Sequence, residues 1–295
     1  STPAGWGSAL TYNTTGSANS AFGVNCLSNN TTASYNTAVG FDTMNQNTTG
    51  ASNTAVGKSS LRSNTTGYYN VAIGDSALVY NTTGSRSIAI GYQAGYSNTT
   101  GAINAIGDGA LYSNTTGAGN VALGGGNNTA LYPSLYANTT GNYNTAVGMG
   151  SLGQNTTASN NTAVGYQAMY SNTTAGTNTA VGFQASYTNQ TGAYNAAFGQ
   201  QALYTSTGSY NTAMGYQAAQ SNTTGYSITA LGYQALQLNT TGNASVAVGD
   251  AALSNNTTGY ENTAVGSRAM IFYNTGSYNT AVGRRAMEGV YLSST

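Results

Sequence analysis

The chain holds 295 residues, of which six are Lys or Arg and six are Asp or Glu. That is 4% charged, against about 25% in ordinary domains. Histidine is absent and cysteine occurs once, at Cys26, while glycine occurs 40 times and tyrosine 24 times. Without histidine there is no His general base, no Ser-His-Asp triad and no imidazole metal ligand. A single cysteine allows neither an intrachain disulfide nor a cysteine zinc site. Zero net charge with no basic cluster leaves nothing to neutralise phosphates or anionic lipids, so no nucleic-acid partner is expected. No apolar run approaches the roughly 20 residues that span a bilayer, and no membrane insertion is expected. A 39% hydrophobic content at zero net charge argues against disorder. The chain begins at Ser1 without a methionine, which fits either processing or a segment of a longer polypeptide.

Internal repetition dominates the sequence, and it decides the fold before any local motif does. A degenerate first unit ends at Gly7. Units of the form x-Ala-apolar-Gly then close at Gly23, Gly40, Gly57, Gly74, Gly91, Gly107, Gly124, Gly148, Gly165, Gly182, Gly199, Gly215, Gly232, Gly249, Gly266 and Gly283. Twelve of the 16 intervals are 17 residues, three are 16 and one is 24. The long interval is an insertion at about 125–136, around Pro133. No composition shift interrupts the array, so residues 1–295 read as a single repeat domain.

Within a unit, Asn161-Thr162-Ala163-Val164-Gly165-Tyr166 is short, β-branched and bounded by turn signals, which predicts a strand. Asn-Thr-Thr-Gly, as at 98–101, predicts a turn in which Asn and Gly tolerate positive φ. The Ala-Leu-Tyr segment, as at 202–204, predicts a second short extended piece. Helix is disfavoured by the Gly, Asn and Thr content and by the lack of i, i+4 apolar spacing. The expectation is an all-β parallel β-roll or β-solenoid of about 17 rungs, built as an intertwined or packed homotrimer.

The residue before each closing glycine is apolar from Gly23 onward, and a small residue followed usually by Leu or Met comes three or four residues after it. These positions predict a stacked core through Ala38, Val39 and Gly40, Ala72, Ile73 and Gly74, Ala163, Val164 and Gly165, and Ala264, Val265 and Gly266. Ala stands two before the glycine in all sixteen units from Ala21 to Ala281. Strict Ala opposite an apolar row predicts strands buried on both faces, as in an interior layer between several chains around one axis. Asn four before the glycine (Asn36, Asn53, Asn70, Asn144, Asn161) predicts an amide ladder.

Thirteen Asn-Thr-Thr triplets fit the N-glycosylation sequon, but nearly one per rung would crowd the glycans, so they read mainly as turns. Tyr92, Tyr166, Tyr216 and Tyr233 recur just after the glycine. They predict either rung-to-rung packing or contacts to a cell-surface glycan or receptor. Asp75 and Asp108, two rungs and about 9.5 Å apart, are at the upper separation of an inverting glycosidase pair, but read as surface charges. Neither a calcium-binding Gly-Gly-x-Gly-x-Asp repeat nor a phosphate loop occurs, so no metal or cofactor is expected. Cys26 takes a small-residue position and reads as buried.

The motifs Ser87-Ile88-Ala89-Ile90-Gly91, Asn70-Val71-Ala72-Ile73-Gly74 and Ser245-Val246-Ala247-Val248-Gly249 resemble the head repeats of trimeric autotransporter adhesins. The longer 17-residue unit is similar to arrays in phage and giant-virus tail-fibre-like proteins. This resemblance implies a left-handed β-roll in a three-chain bundle, located extracellularly on a virion or cell surface. It also implies a trimerisation chaperone that is removed by self-cleavage. The expected function is a non-enzymatic structural fibre shaft or adhesin. One alternative is a head-to-tail extracellular filament. Another is an ice-binding solenoid using Thr37, Thr54, Thr145, Thr162 and Thr179, though Val71, Ile88, Val121, Ala196 and Val246 interrupt that row and suggest that it faces a core.

Overall fold

The computed structural model describes residues 7–126 and 132–289. The chain divides into two compact units, Ser1–Thr157 and Ala158–Thr295. The first carries β1 (Ser20–Phe22), β2 (Thr37–Val39), β3 (Thr54–Val56), β4 (Val71–Ile73), β5 (Ile88–Ile90), β6 (Ile103–Ile106), β7 (Asn120–Leu123) and β8 (Thr145–Val147). The second carries β9 (Thr162–Val164), β10 (Thr179–Val181), β11 (Ala196–Phe198), β12 (Thr212–Met214), β13 (Thr229–Leu231), β14 (Val246–Val248), β15 (Thr263–Val265) and β16 (Thr280–Val282). In each unit every strand pairs in parallel with the next in sequence, Ala on Ala, as in Ala38↔Ala55 and Ala180↔Ala197. Each unit is therefore a parallel β-solenoid with one strand and one 17-residue turn of coil per repeat.

One strand per rung corrects the expectation of two. The Ala-Leu-Tyr segment is a turn in which Leu sits at positive φ: Leu61 at 51°, Leu78 at 49°, Leu203 at 51°. Two more positions per rung share that conformation, for example Ser59 (55°) and Ser52 (58°). These left-handed residues fold the backbone back on itself within 17 residues. The turn wall still bonds rung to rung: Leu61 N–H donates to the Ala77 carbonyl at 2.9 Å and Thr65 N–H to the Thr82 carbonyl at 2.8 Å. Backbone pairing thus continues around the coil and not only along the sheet, which satisfies buried peptide groups with little regular strand.

The interior of one coil holds the strand Ala, the small residue and Leu or Met of the turn, and two asparagines. In the β9 rung, Ala163, Ala168 and Met169 are fully buried, as are Asn161 and Asn172. Burial of Ala38, Ala72, Ala163 and Ala264 agrees with the expected core. Their partners do not: Val39, Val164 and Val265 are half-exposed and Ile73 is 39% exposed. Strand alternation explains the inversion. Asn and Ala at i and i+2 point inward, so Thr and the apolar residue must point outward. The strict alanine consequently reflects a narrow lumen within one chain, already filled by Leu from the turn wall, and not an inter-chain contact.

Two exceptions show how tightly that lumen is filled. Ile103 and Ile228 replace the inward asparagine and are 1% exposed. In the rung before each, the buried Leu becomes Gly95 or Ala219. A Cβ built on Gly95 would meet Ile103 Cδ1 at 2.8 Å and Leu78 Cδ2 at 3.1 Å. One large residue is exchanged for one small, conserving volume. Gly95→Leu alone should cost about 2–3 kcal/mol by overpacking. Combined with Ile103→Asn it should recover most of that loss, which denaturant titration of the double-mutant cycle would measure.

The insertion leaves and rejoins the coil at one corner. Ser134 N–H and Oγ both donate to the Gly124 carbonyl, at 3.0 and 2.9 Å, and Leu135 is fully buried in the usual Leu position. Its middle, 127–131, lies outside the described residues.

Candidate functional site

Three features carry the molecule's chemistry. The first is the outward face of the sheets. One row runs through Thr37, Thr54, Val71, Ile88, Asn104, Val121 and Thr145 in the first unit, and through Thr162, Thr179, Ala196, Thr212, Thr229, Val246, Thr263 and Thr280 in the second. The parallel row is Phe22, Val39, Val56, Ile73, Ile90, Ile106, Leu123 and Val147, then Val164, Val181, Phe198, Met214, Leu231, Val248, Val265 and Val282. No charged residue occurs in either row. The threonine row faces outward, which corrects the expectation that its interruptions place it against a core. Eight strands at ~4.8 Å span roughly 38 Å per unit, so each unit carries an uncharged face of threonine and apolar side chains along that length. A contiguous patch of a few hundred Å² on a polar molecule is the size that marks interaction surfaces.

The second feature is a set of polar and aromatic ladders. The asparagine of Asn-Thr-Thr forms the true amide ladder. In the first unit Nδ2 of Asn30, Asn47, Asn64, Asn81, Asn98, Asn114, Asn138 and Asn155 donates to Oδ1 of the rung before, at 2.7–3.1 Å. The second hydrogen of each amide closes its own turn, as in Asn64 Nδ2 to the Gly67 carbonyl at 2.9 Å. The asparagine four before the repeat glycine does something different. Its Oδ1 mostly accepts the next rung's backbone N–H, as from Asn53 to Asn36 at 2.9 Å, while its Nδ2 donates to a turn carbonyl. Both kinds of asparagine are buried, and triplets that read mainly as turns carry the longer side-chain ladder.

Aromatic rings stack along the coil. Tyr166 lies on Phe183 with centroids 5.4 Å apart and planes 12° apart, and Tyr216 on Tyr233 at 5.3 Å and 9°. Beside them Gln167, Gln184, Gln201, Gln217 and Gln234 form a chain of amide hydrogen bonds of 2.9–3.3 Å. A second ring column joins Tyr80, Tyr96, Tyr112 and Tyr136. There a hydrogen bond with Tyr80, together with burial, pushes the Tyr96 phenol up to about 12. Because the folded chain holds this proton more tightly than the unfolded one, its contribution is complete below pH ~10 and disappears as pH rises toward 12. The denaturant midpoint should fall over that window, and less steeply in Tyr96→Phe.

The third feature is the placement of charge. All twelve charged residues fall within 42–108 or 250–288, and residues 109–249 contain none. Lys58, Asp75, Tyr92 and Asp108 each follow the repeat glycine in four consecutive rungs. Lys58 Nζ lies 3.8 Å from Asp75 Oδ2, and Ser76 Oγ donates to Asp75 Oδ1 at 2.6 Å. Tyr92 is 51% exposed. Near the other end Glu288 Oε1 bridges Arg285 (3.2 Å) and Arg268 (3.5 Å).

Among the described residues, no group of three His, Cys, Asp or Glu could hold a metal ion, and no helix is long and apolar enough to cross a membrane. Cys26 is buried; its Sγ donates to the Gly40 carbonyl at 2.8 Å, and burial pushes the thiol up.

Fold and surface together define a class, the parallel β-solenoid repeat proteins with a 17-residue rung. Comparison with protein-family profiles, curated proteins and solved structures yields no match to this chain.

Proposed function

We propose that this chain is a non-enzymatic structural element, a fibre shaft or adhesin on a virion or bacterial surface, assembled from three copies. The observation that carries this reading is the uncharged outward double row. The residue just before the repeat glycine could have been lysine or glutamate at no cost to the lumen, yet it is Val, Ile, Leu, Phe or Met throughout. Burying such a row against copies of itself removes apolar surface from water at roughly 25 cal/mol per Å². Closed symmetric association is the usual outcome for one chain meeting itself. The repeat motifs support three copies by their resemblance to trimeric adhesin heads. The inter-chain contact runs through Val164 and its equivalents, and not through the alanines.

Val164→Glu with Val181→Glu tests this contact. Both side chains point away from the lumen, so circular dichroism and rung stability should change little. The native mass should drop to that of one chain. Unchanged assembly in the double variant would contradict the reading.

A second reading draws on the same face. Outward threonines at regular spacing beside a methyl-rich row form the kind of flat lattice that could order ice, although Phe198 and Met214 roughen it. A monomer that shows thermal hysteresis would favour this reading over the fibre.

A further inference from the structure

We infer that Tyr92, with Asp75 and Asp108 in the rungs on either side, is a binding site for an uncharged saccharide. This rests on the adhesin form of the reading above and says where such a protein would hold its ligand.

Most aromatic residues in the repeat columns cover one another. Tyr166 and Phe183, Tyr216 and Tyr233, Tyr170, Tyr187 and Tyr204, and Tyr96 and Tyr112 all spend ring faces on their neighbours. A sugar ring needs a free aromatic face, so these stacks are poor platforms. Tyr92 differs. Its column neighbours are the two aspartates, no ring of the described residues stacks on it, and half of it is open to solvent.

The flanking groups supply the complementary chemistry. A pyranose presents C–H groups on one face and hydroxyl donors around its rim. Carboxylate oxygens accept such donors strongly, and one carboxylate can take two from adjacent hydroxyls. Asp75 and Asp108 are separated by two rung spacings, about 9.5 Å. On this inference one sugar ring packs against Tyr92 and its rim hydroxyls reach the carboxylates of the two flanking rungs. The same distance is too long for both carboxylates to share one cation. Ser76 Oγ donates to Asp75 Oδ1, Lys58 Nζ lies 3.8 Å from Asp75 Oδ2, and the half-buried Gln93 adds an amide next to Tyr92.

Charge sets the specificity. Two carboxylates against one lysine leave the column negative, which disfavours uronic or sialic acids and accepts neutral hexoses or N-acetylhexosamines. A chain that carries no charge over residues 109–249 nonetheless places three of its twelve charges in the four-rung column that contains Tyr92.

The test uses the full chain with chitohexaose, cellohexaose and hexagalacturonate, read by saturation-transfer NMR and calorimetry, with native mass recorded on the same samples. A neutral hexaose should bind. Tyr92→Ala should weaken it by about tenfold or more, a loss of ~1.4 kcal/mol. Asp75→Asn and Asp108→Asn should each weaken it several-fold, Tyr92→Phe should largely retain it, and Tyr216→Ala should leave it unchanged. The inference is overturned if wild-type protein binds neither neutral hexaose at millimolar concentration. It is equally overturned if Tyr92→Ala binds like wild type, or if hexagalacturonate binds as tightly as the neutral sugars. Trimeric mass without binding removes this site and leaves the fibre reading standing; binding by a monomer does the reverse.

Discussion

Gly165→Ala is expected to destabilise its unit by about 4 kcal/mol or to prevent folding. Gly165 has φ +132°, a conformation that L-residues rarely adopt, and a Cβ there would lie 2.5 Å from the Gly182 carbonyl oxygen and 2.7 Å from its carbon. Both obstacles are backbone and cannot rotate away. Strain alone accounts for roughly 1–3 kcal/mol, and the clash adds the rest by forcing two rungs apart. Gly283 separates the two contributions. It has φ +123°, but its Cβ would meet only the Ala286 side chain, at 3.9 Å. Gly283→Ala should therefore cost only the strain. Urea titration of both variants would check this; equal losses would show that rung stacking at the glycine is unimportant.

The second large effect concerns the Asn-Thr-Thr triplets. N-glycosylation of the folded chain should be absent at Asn30, Asn47, Asn64, Asn81, Asn98, Asn114, Asn138 and Asn155. Every one of these side chains is fully buried, with its Nδ2 donating to the asparagine of the rung before. A glycan on Nδ2 would replace a hydrogen that the ladder uses and would have to pass through the coil wall. Leaving even one buried amide partner unsatisfied costs about 1–3 kcal/mol, before any steric term. Chain made in a glycosylating secretory pathway should thus divide into a folded fraction unmodified at these sites and a modified fraction that fails to fold. Mass spectrometry of protease-resistant and protease-sensitive material would tell the two apart. Glycans on these asparagines in the resistant fraction would contradict the buried ladder.

The period, the strand position within each unit and the coil architecture were all legible in the sequence, because a 17-residue recurrence leaves few ways to stack. The direction in which side chains face was not. A three-residue strand gives one alternation, and hydrophobicity alone assigns Val39 and Ile73 to the interior. The deciding physics is volume. Leu from the turn wall fills the lumen, so the facing strand can contribute only a methyl group. A sequence signal for this did exist. The alanine never varies, whereas the residue after it ranges from Val to Phe and Met, the tolerance of a side chain that points out. The pairing of Gly95 with Ile103, and of Ala219 with Ile228, is a second trace of the same constraint. Nothing local announced that Leu61 or Leu203 would take positive φ, because the closure of the coil imposes that conformation on a residue that does not favour it.

The candidate site was half legible. Tyr92 and the two aspartates were visible as residues, but only the stacking of the other rings sets Tyr92 apart from Tyr166, Tyr216 and Tyr233. The alanine row belongs inside one chain, so under the proposed reading the uncharged Val, Ile and Leu row is the face that associates.

The native mass of the wild-type chain in solution, measured by light scattering, tests that claim most directly. The fibre reading predicts a discrete species near three times 29.8 kDa, reduced to one chain by the Val164→Glu and Val181→Glu pair. A stable, soluble species of one chain would contradict it, because the outward row would then be covered by nothing of its own kind.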